Sequence, residues 1–297
     1  MKEDEIKERY AIKELPVDEF PARLKEIPDA PKKLYLRGEM PSEDLKFLCV
    51  VGARKYSEYG RSVCEKLIGG LRSFPIVIVS GLALGIDSIA HKAALETGLT
   101  TVAIPGSGLS EKVLYPASNI ELAKKILRKN GALLSEFEPD FRATPWSFPQ
   151  RNRIMAGISD AVLVIEAEQK SGTLITSRLA TEYNRDVLTV PGSIYSANSE
   201  GPHMLLRLGA ALTSTSADIT RALGLDTLPG MKTNSIEPTK DCSDEEKIIL
   251  EALKEPMTKD DLIRTLKMPV SKFNATLSIL EIKDLIRETM GMFNRNF

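Results

Sequence analysis

Four short runs of small residues follow apolar, strand-like segments in this chain of 297 residues. They are Gly52-Ala53-Arg54, Ser80-Gly81-Leu82, Gly106-Ser107-Gly108 and Ser171-Gly172-Thr173. A helix-like segment follows each run, so each turn would present free backbone N–H groups and the positive end of a helix dipole. Four such turns in succession predict a sheet edge that holds a phosphate-bearing ligand.

Three arginines are candidates for binding the phosphate at this sheet edge. Arg54 closes the first turn, and its guanidinium could make two parallel hydrogen bonds to a phosphate. Arg151 and Arg153 stand at the start of a helix-like segment, where a cation opposes the helix dipole and needs another stabilising contact. Either an anionic ligand or an ion pair with Glu136 or Glu138 could supply that contact.

The residues near the turns indicate phosphate binding without catalysis. The run Lys170–Thr173 places a cation, a hydroxyl and a glycine at one helix start, as a P-loop does. It lacks the length and the Gly-Lys-Ser/Thr ending of a P-loop, so ATP hydrolysis is not supported. The carboxylates show no metal-ligand spacing, and we expect no metal or cofactor. We expect His91, one turn after Asp87, to be packed inside the fold.

Continuous apolar runs alternate with amphipathic, helix-like segments between residues 47 and 223. Continuous runs are typical of strands that are buried on both faces, and intervening helices are typical of parallel crossovers. The sequence therefore predicts an α/β fold with a doubly wound, Rossmann-like, mostly parallel sheet. The predicted strands are Phe47–Val51, Ile76–Ser80, Thr100–Ile104, Ala132–Ser135, Ala161–Ile165, Val187–Val190 and Ala210–Leu212.

Composition divides the chain into four parts. Residues 1–40 are predicted to be a helical and extended lead-in, and residues 41–224 the Rossmann-like domain. Residues 225–241 are polar and rich in turn formers, which is typical of a linker. In residues 242–297 a capping box at Ser243 opens the first of three short helices, and a hairpin surrounds Gly291. Three helices and a hairpin predict a small winged-helix domain.

The bulk composition is that of an ordinary globular protein, with 42% hydrophobic and 27% charged residues. No apolar run approaches the roughly 20 residues that span a bilayer, and the charged start lacks a signal-peptide core. Three cysteines without metal-ligand spacing favour a reduced, cytoplasmic protein. The net charge of −1 does not indicate a strongly basic nucleic-acid binder, although a local basic patch would suffice for binding.

The turns occur in one order together with several flanking residues. The set is Val51–Arg54, Ser80–Asp87 with Ala90-His91, Gly106-Ser107-Gly108 with Tyr115-Pro116, Arg151–Ile154 with Ala156-Gly157, and Ser171-Gly172-Thr173. This ordered set resembles the DprA/Smf family of DNA-processing proteins over residues 30–225. The C-terminal segment is similar to the winged helix that many members carry.

The resemblance implies an extended Rossmann-like domain that binds single-stranded DNA without catalysis. Members of the family protect incoming single strands and load the RecA recombinase onto them, in natural transformation or recombination, in the presence of single-strand-binding protein. They commonly form homodimers through the Rossmann-like domain. The candidate DNA-binding residues are Gly52, Ala53, Arg54, Ser80, Gly81, Gly106, Ser107, Arg151, Arg153, Lys170, Ser171, Gly172 and Thr173.

Two departures from the family pattern would weaken binding. Many members have Ser or Thr at the position of Ala53, and a basic residue at the position of Ala117. Each missing cationic contact would flatten the salt dependence of binding by roughly one unit of slope.

Two other functions remain open from the sequence. A phosphoribohydrolase of the lysine-decarboxylase-like type has the same topology and a similar phosphate turn, followed by a catalytic arginine and glutamate on the next helix. Arg178 and Glu182 occupy such a helix here. The winged helix could instead read duplex DNA, but its third helix offers Lys272 and little other basic surface, which favours a partner-binding or dimerisation module.

Overall fold

The computed structural model describes residues 10–225 and, apart from positions 267, 284 and 290, residues 242–295. The chain separates into two compact units, Met1–Met231 and Lys232–Phe297. The predicted linker, residues 225–241, lies outside the described residues except for its first residue. Among the described residues, no helix is both long and apolar enough to cross a membrane.

The first unit contains a nine-stranded sheet in the order β1-β2-β6-β5-β4-β3-β7-β8-β9. The strands are β1 Lys13–Glu14, β2 Tyr35–Gly38, β3 Lys46–Val51, β4 Ile76–Ser80, β5 Thr100–Ala103, β6 Ala132–Ser135, β7 Ala161–Val164, β8 Asp186–Thr189 and β9 Ala211–Leu212. Strands β3 to β9 are parallel, whereas β1 and β2 add an antiparallel edge beside β6. The predicted doubly wound fold is confirmed, with each predicted strand found within one residue of its expected bounds. The antiparallel edge was not predicted.

Helices cover both faces of this sheet. They are α1 Ala22–Lys25, α2 Glu58–Gly69, α3 Ile86–Thr97, α4 Ile120–Arg128, α5 Ser147–Ile158, α6 Thr173–Glu182, α7 Glu200–Arg207 and α8 Ser216–Ala222. Alternate residues of β3 enter different apolar clusters, because successive side chains of a strand point to opposite faces. Cys49 packs with α5, α6 and α7, whereas Leu48 packs with α2, α3 and α8.

The segment before residue 41 packs into the same core as the parallel strands. Leu24 and Leu34 are fully buried in the cluster that also contains Cys49. An added Cβ at Gly157 in α5 would lie 3.0 Å from Leu24 Cδ1, so glycine allows this close approach. The Arg23 guanidinium lies 2.5 Å from the largely buried carboxylate of Asp160, which follows α5. The structure therefore does not divide the chain at residue 40.

The second unit is a winged helix with its own apolar core. Its described elements are α9 Asp244–Ala252, β10 Met257–Thr258, α10 Lys259–Leu266, α11 Val270–Ile282, β11 Ile286–Thr289 and β12 Met292–Arg295. The strands form an antiparallel sheet in the order β10-β12-β11. The capping box of Ser243 and Glu246 begins α9 as predicted. The hairpin predicted around Gly291 is formed by β11 and β12, and α11 ends at Ile282 before it.

We expect Leu24→Ala to lower the free energy of unfolding by about 2–5 kcal/mol, because it leaves a cavity in the shared core. Urea denaturation followed by circular dichroism would measure the change. Val17→Ala alters an exposed position of the same segment and should change stability by less than about 0.5 kcal/mol. Equal, small effects of both substitutions would show that this segment is not part of the cooperative core.

Candidate functional site

The chain reverses its direction of winding between β3 and β7. It runs outward from β3 to β6, returns to β7 on the other side of β3, and continues outward to β9. Ligands of doubly wound sheets bind in the crevice at the carboxyl ends of the strands that flank such a reversal. A crevice of about 460 Å³ lies at this place.

The crevice brings together seven of the thirteen candidate residues. Gly52, Ala53, Arg54, Arg151, Ser171, Gly172 and Thr173 line it. Lys170 is exposed beside Ser171 but is not part of the lining. Ser80 and Ser107 are fully buried, and the Ser80 hydroxyl donates to the carbonyl of Val50 over 2.7 Å. Gly81 lines a small adjoining recess, whereas Gly106 is buried beneath Phe148.

Hydrogen bonds join the turns that follow β3 and β7. The Thr173 hydroxyl donates to the carbonyl of Gly52 over 3.2 Å, and the Asn152 amide donates to the carbonyl of Gly172 over 3.4 Å. Gly172 caps the start of α6 with ordinary right-handed backbone angles. The two turns therefore form a continuous rim with the N-terminus of α6 facing the crevice, a favourable environment for an anion.

Close packing explains the glycines of the other turns. An added Cβ at Gly52 would lie 2.7 Å from Ile86 Cγ1, and one at Gly106 would lie 2.6 Å from Phe148 Cδ1. One at Gly81 would overlap the guanidinium of Arg151. At Gly172, in contrast, an added Cβ would have no neighbour within 4 Å. The packing of the described residues thus requires no glycine at position 172.

Arg151 forms the floor of the crevice and is almost fully buried. Its Nη1 donates to the carbonyls of Gly81 and Ile104, which follow β4 and β5. The carboxylate of Asp87 accepts a hydrogen bond from the N–H of Gly81 over 3.1 Å. Burial raises the pKa of Asp87, and the positive charge of Arg151 acts in the opposite direction. Arg151 thus joins two strand ends and balances a buried carboxylate.

Arg153 lies on another side of α5, away from the lining residues. Its guanidinium pairs with Glu136 and donates to the carbonyl of Asp29. Gln150 also donates to Glu136, over 3.0 Å. Arg153 is therefore already engaged in an ion pair, and a phosphate contact by Arg153 would have to displace Glu136.

Arg54 is the exposed arginine of the crevice rim. Its guanidinium carbon lies 5.3 Å from the ring centroid of Phe148, within the range of a cation–π interaction. The ring of Tyr115 lies 5.7 Å from that of Phe148, and Lys55 also lines the crevice. The rim thus presents cations beside aromatic faces. Sequence reasoning missed Phe148, although an aromatic residue one helical turn before Arg151 was a usable signal.

Glu166 is a further residue that sequence reasoning missed. It follows β7, is almost fully buried, and accepts from the backbone N–H of Ser57 over 2.9 Å and from Asn198 over 3.3 Å. These contacts tie together the loops that follow β3, β7 and β8. A carboxylate that ends an apolar run was its only signal in the sequence.

Comparison with known proteins identifies the family of this chain. Residues 14–224 match the model of the DNA recombination-mediator protein A family, and residues 234–292 match the DprA winged helix domain. The chain belongs to the DprA family. Protein Smf of Escherichia coli is 40% identical over an alignment that spans 73% of this chain and 58% of that protein. DprA of Streptococcus pneumoniae is 42% identical over 68% of this chain and 70% of that protein.

A solved structure of another DprA protein has the same fold. DNA processing protein A of Helicobacter pylori superposes with a TM-score of 0.65 at 30% identity, over 73% of this chain and 97% of that chain. That protein is described as having a unique single-stranded DNA binding mode. The family is thus one of DNA-processing proteins.

His91 lies on α3 and is fully buried. The Thr101 hydroxyl donates to the carbonyl of Ile78, so it accepts the proton of His91 Nδ1, which is 2.7 Å away. Burial lowers the pKa of His91 to about 3. His91 is therefore a neutral packing residue, as expected from the sequence.

We expect His91 to make the fold sensitive to acid. The unfolded chain takes up a proton on this ring near the ordinary pKa of 6.5, whereas the folded chain does so only near pH 3. Between these values the free energy of unfolding should fall by up to about 1.4 kcal/mol per pH unit as the pH is lowered.

Urea denaturation of the parent and His91→Gln between about pH 4 and pH 7 would measure this slope. Thr101→Val is the control, because it removes the hydrogen-bond partner but keeps the titrating ring. Thr101→Val should lower stability with the slope retained, whereas His91→Gln should flatten the slope. The same slope in His91→Gln would contradict this role of His91.

Proposed function

We propose that this chain is a non-catalytic single-stranded DNA-binding protein that protects incoming strands and loads a RecA recombinase onto them. It would act in natural transformation or recombination, with single-strand-binding protein as a further partner. The observation that carries the proposal is the exposed Arg54 stacked on Phe148 at the rim of the crevice. Single-strand binders combine cations for the backbone with aromatic faces for the bases. The described binding mode of the Helicobacter pylori relative supports the same ligand.

In this proposal, successive phosphates lie along the joined turns. The guanidinium of Arg54 forks onto one phosphate, and the N-terminus of α6 at Gly172 and Thr173 receives another. Phe148 and Tyr115 offer ring faces for the bases. Arg151 contributes positive charge from below, because its hydrogen bonds to the Gly81 and Ile104 carbonyls hold it in the floor.

The geometry disfavours the phosphoribohydrolase alternative. Arg178 and Glu182 pair with each other over 3.3 Å on the exposed side of α6. They line a separate groove with residues of β8 and α7, not the crevice. Release of ribose phosphate from nucleoside monophosphates at high protein concentration would revive this alternative.

The third helix of the winged helix, α11, presents little positive charge for a duplex. Lys272 on α11 lies 2.5 Å from the carboxylate of Glu245. The same helix exposes Val270, Ile279 and Ile282. These contacts favour a protein partner over duplex DNA, and markedly tighter binding to a duplex than to a single strand would reverse this assignment.

We expect Arg54→Ala to weaken binding to oligo(dT), because one phosphate contact is lost. The slope of log K against log salt should become shallower by about 0.7. Fluorescence anisotropy over a range of salt concentrations would measure both quantities. Arg178→Ala is the matched control, since it removes an exposed arginine outside the crevice and should bind as the parent does. Unchanged binding by Arg54→Ala would refute the site.

Gly172→Ala tests the approach of the ligand itself. No neighbour in the described residues would meet the added methyl, so the fold should be unaffected while the ligand is pushed away. We expect a loss of about tenfold in affinity, which corresponds to about 1.4 kcal/mol. Gly69→Ala, at an equally open position at the end of α2, should leave the affinity unchanged and raise the free energy of unfolding by up to about 1 kcal/mol, because alanine restricts the unfolded chain.

The same variants test the mediator role. Arg54→Ala and Gly172→Ala should load less recombinase onto single strands coated with single-strand-binding protein than Gly69→Ala does. Normal loading by variants that bind DNA poorly would separate loading from this crevice and refute the mechanism.

We further propose that the protein forms a homodimer through the β9 edge of the sheet. In the described residues β9 pairs with β8 alone, so its other edge is available to a second copy. Leu208, which follows α7, is 75% exposed, and Leu212 of β9 is 54% exposed. An exposed strand edge beside apolar side chains is typical of an interface between copies.

We expect Leu208→Asp to convert the dimer to a monomer, because it places a charge in the apolar contact. Light scattering coupled to size-exclusion chromatography would measure the mass. Leu84→Asp, which changes an exposed leucine beside the crevice, is the control and should leave the mass unchanged. A parent protein of monomer mass at micromolar concentration would contradict the dimer.

A further inference from the structure

The loop after β8 projects two large apolar side chains into solvent. Ile194 is 81% exposed and Tyr195 is 93% exposed, the most exposed apolar pair of neighbours in the described residues. Isolated exposed apolar residues are common, but an adjacent pair at a loop tip is more typical of a recognition site.

Hydrogen bonds restrain the backbone of this loop. The Tyr59 hydroxyl donates to the carbonyl of Pro191 over 2.6 Å, and His203 Nε2 lies 3.0 Å from the carbonyl of Gly192. The N–H of Tyr195 donates to a serine hydroxyl within the loop over 3.2 Å. A side chain presented by an ordered backbone loses less entropy when it binds, so the tip is preorganised for a ligand.

The loop is joined to the crevice. Asn198 donates from its side chain to the carbonyl of Lys55 over 3.0 Å, and its own carbonyl accepts from the N–H of Ala167 over 2.8 Å. Lys55 belongs to the turn after β3, and Ala167 follows β7. Because β8 lies two strands from β3, the loop starts roughly 10 Å from the first turn. Single-stranded DNA that is bound in the crevice can therefore extend as far as the tip.

We propose that the tip at Ile194 and Tyr195 is an additional base-stacking position for single-stranded DNA beyond the crevice. This inference rests on the proposed function and extends its site along the sheet edge towards β8. The tip offers a flat ring and an aliphatic side chain flanked by Ser193 and Ser196, without a cation of its own. It is thus suited to the face of a base rather than to a phosphate, and to bases of any sequence.

The test compares a normal oligonucleotide with one that lacks bases. Tyr195→Ala should weaken binding of the full chain to oligo(dT) by about 5- to 150-fold, the range for loss of one stacked base. It should leave the salt slope unchanged, because no phosphate contact is removed. Binding to an abasic oligonucleotide of the same length should not change. Tyr195→Phe, which keeps the ring, should bind as the parent does.

Arg54→Ala separates failure of this inference from failure of the proposed function. Arg54→Ala should weaken binding to both oligonucleotides and flatten the salt slope. If Arg54→Ala weakens binding but Tyr195→Ala binds oligo(dT) as the parent does, the stacking position is wrong and the proposed function stands. Equal losses by Tyr195→Ala on oligo(dT) and on the abasic strand would also overturn it. If Arg54→Ala binds as the parent does, the assignment of the crevice as the binding site fails, and if the parent itself does not bind oligo(dT), the proposed function fails.

The alternative to base stacking is that the tip at Ile194 and Tyr195 contacts a protein. If Tyr195→Ala leaves both DNA affinities intact but lowers recombinase loading, the tip binds protein and the stacking inference is overturned. Because Tyr195 is almost fully exposed, its substitution should not unfold the chain, and a circular dichroism spectrum checks this.

Discussion

A buried guanidinium fixes the geometry on which the crevice depends. Arg151 joins the ends of β4 and β5 through the carbonyls of Gly81 and Ile104, and so holds α5 against the sheet edge. Phe148 stands one turn earlier on the same helix and supports Arg54. A displacement of Arg151 would therefore move both the floor and the rim. Without Arg151, the buried carboxylate of Asp87 would lose the positive charge that acts against the rise of its pKa on burial.

Arg54, Arg151 and Arg153 differ in how deeply they are buried, and therefore in what each guanidinium contacts. The guanidinium of Arg151 donates hydrogen bonds to backbone carbonyls, and that of Arg153 forms an ion pair with Glu136. Both side chains therefore already have partners within the protein. Arg54 keeps its polar atoms in solvent, and a ring face rather than a carboxylate supports it. A free guanidinium that is fixed in position can bind a phosphate without first breaking an ion pair. Arg54 is therefore the better candidate for direct contact.

The sequence predicted the parallel strands well, but it did not predict how deeply each arginine is buried. Continuous apolar runs such as Ile76–Ser80 are diagnostic of strands buried on both faces, so their positions were recovered almost to the residue. Tyr35–Gly38 escaped notice because a short strand among prolines has no such run. Arg151 and Arg153 are two residues apart on a helix and so face different sides. Which side meets the sheet depends on packing from distant segments, which spacing alone does not reveal.

The roles of the glycines in the turns were also not predictable from the sequence. A small residue after a strand can serve a ligand or a neighbouring side chain, and the sequence does not distinguish the two. At Gly52, Gly81 and Gly106 the neighbours are Ile86, Arg151 and Phe148, so packing alone accounts for glycine. At Gly172 the backbone angles suit any residue and the space beyond Cα is open. A glycine there costs entropy on folding without a packing gain. That cost is accounted for if a ligand occupies the open space at the N-terminus of α6.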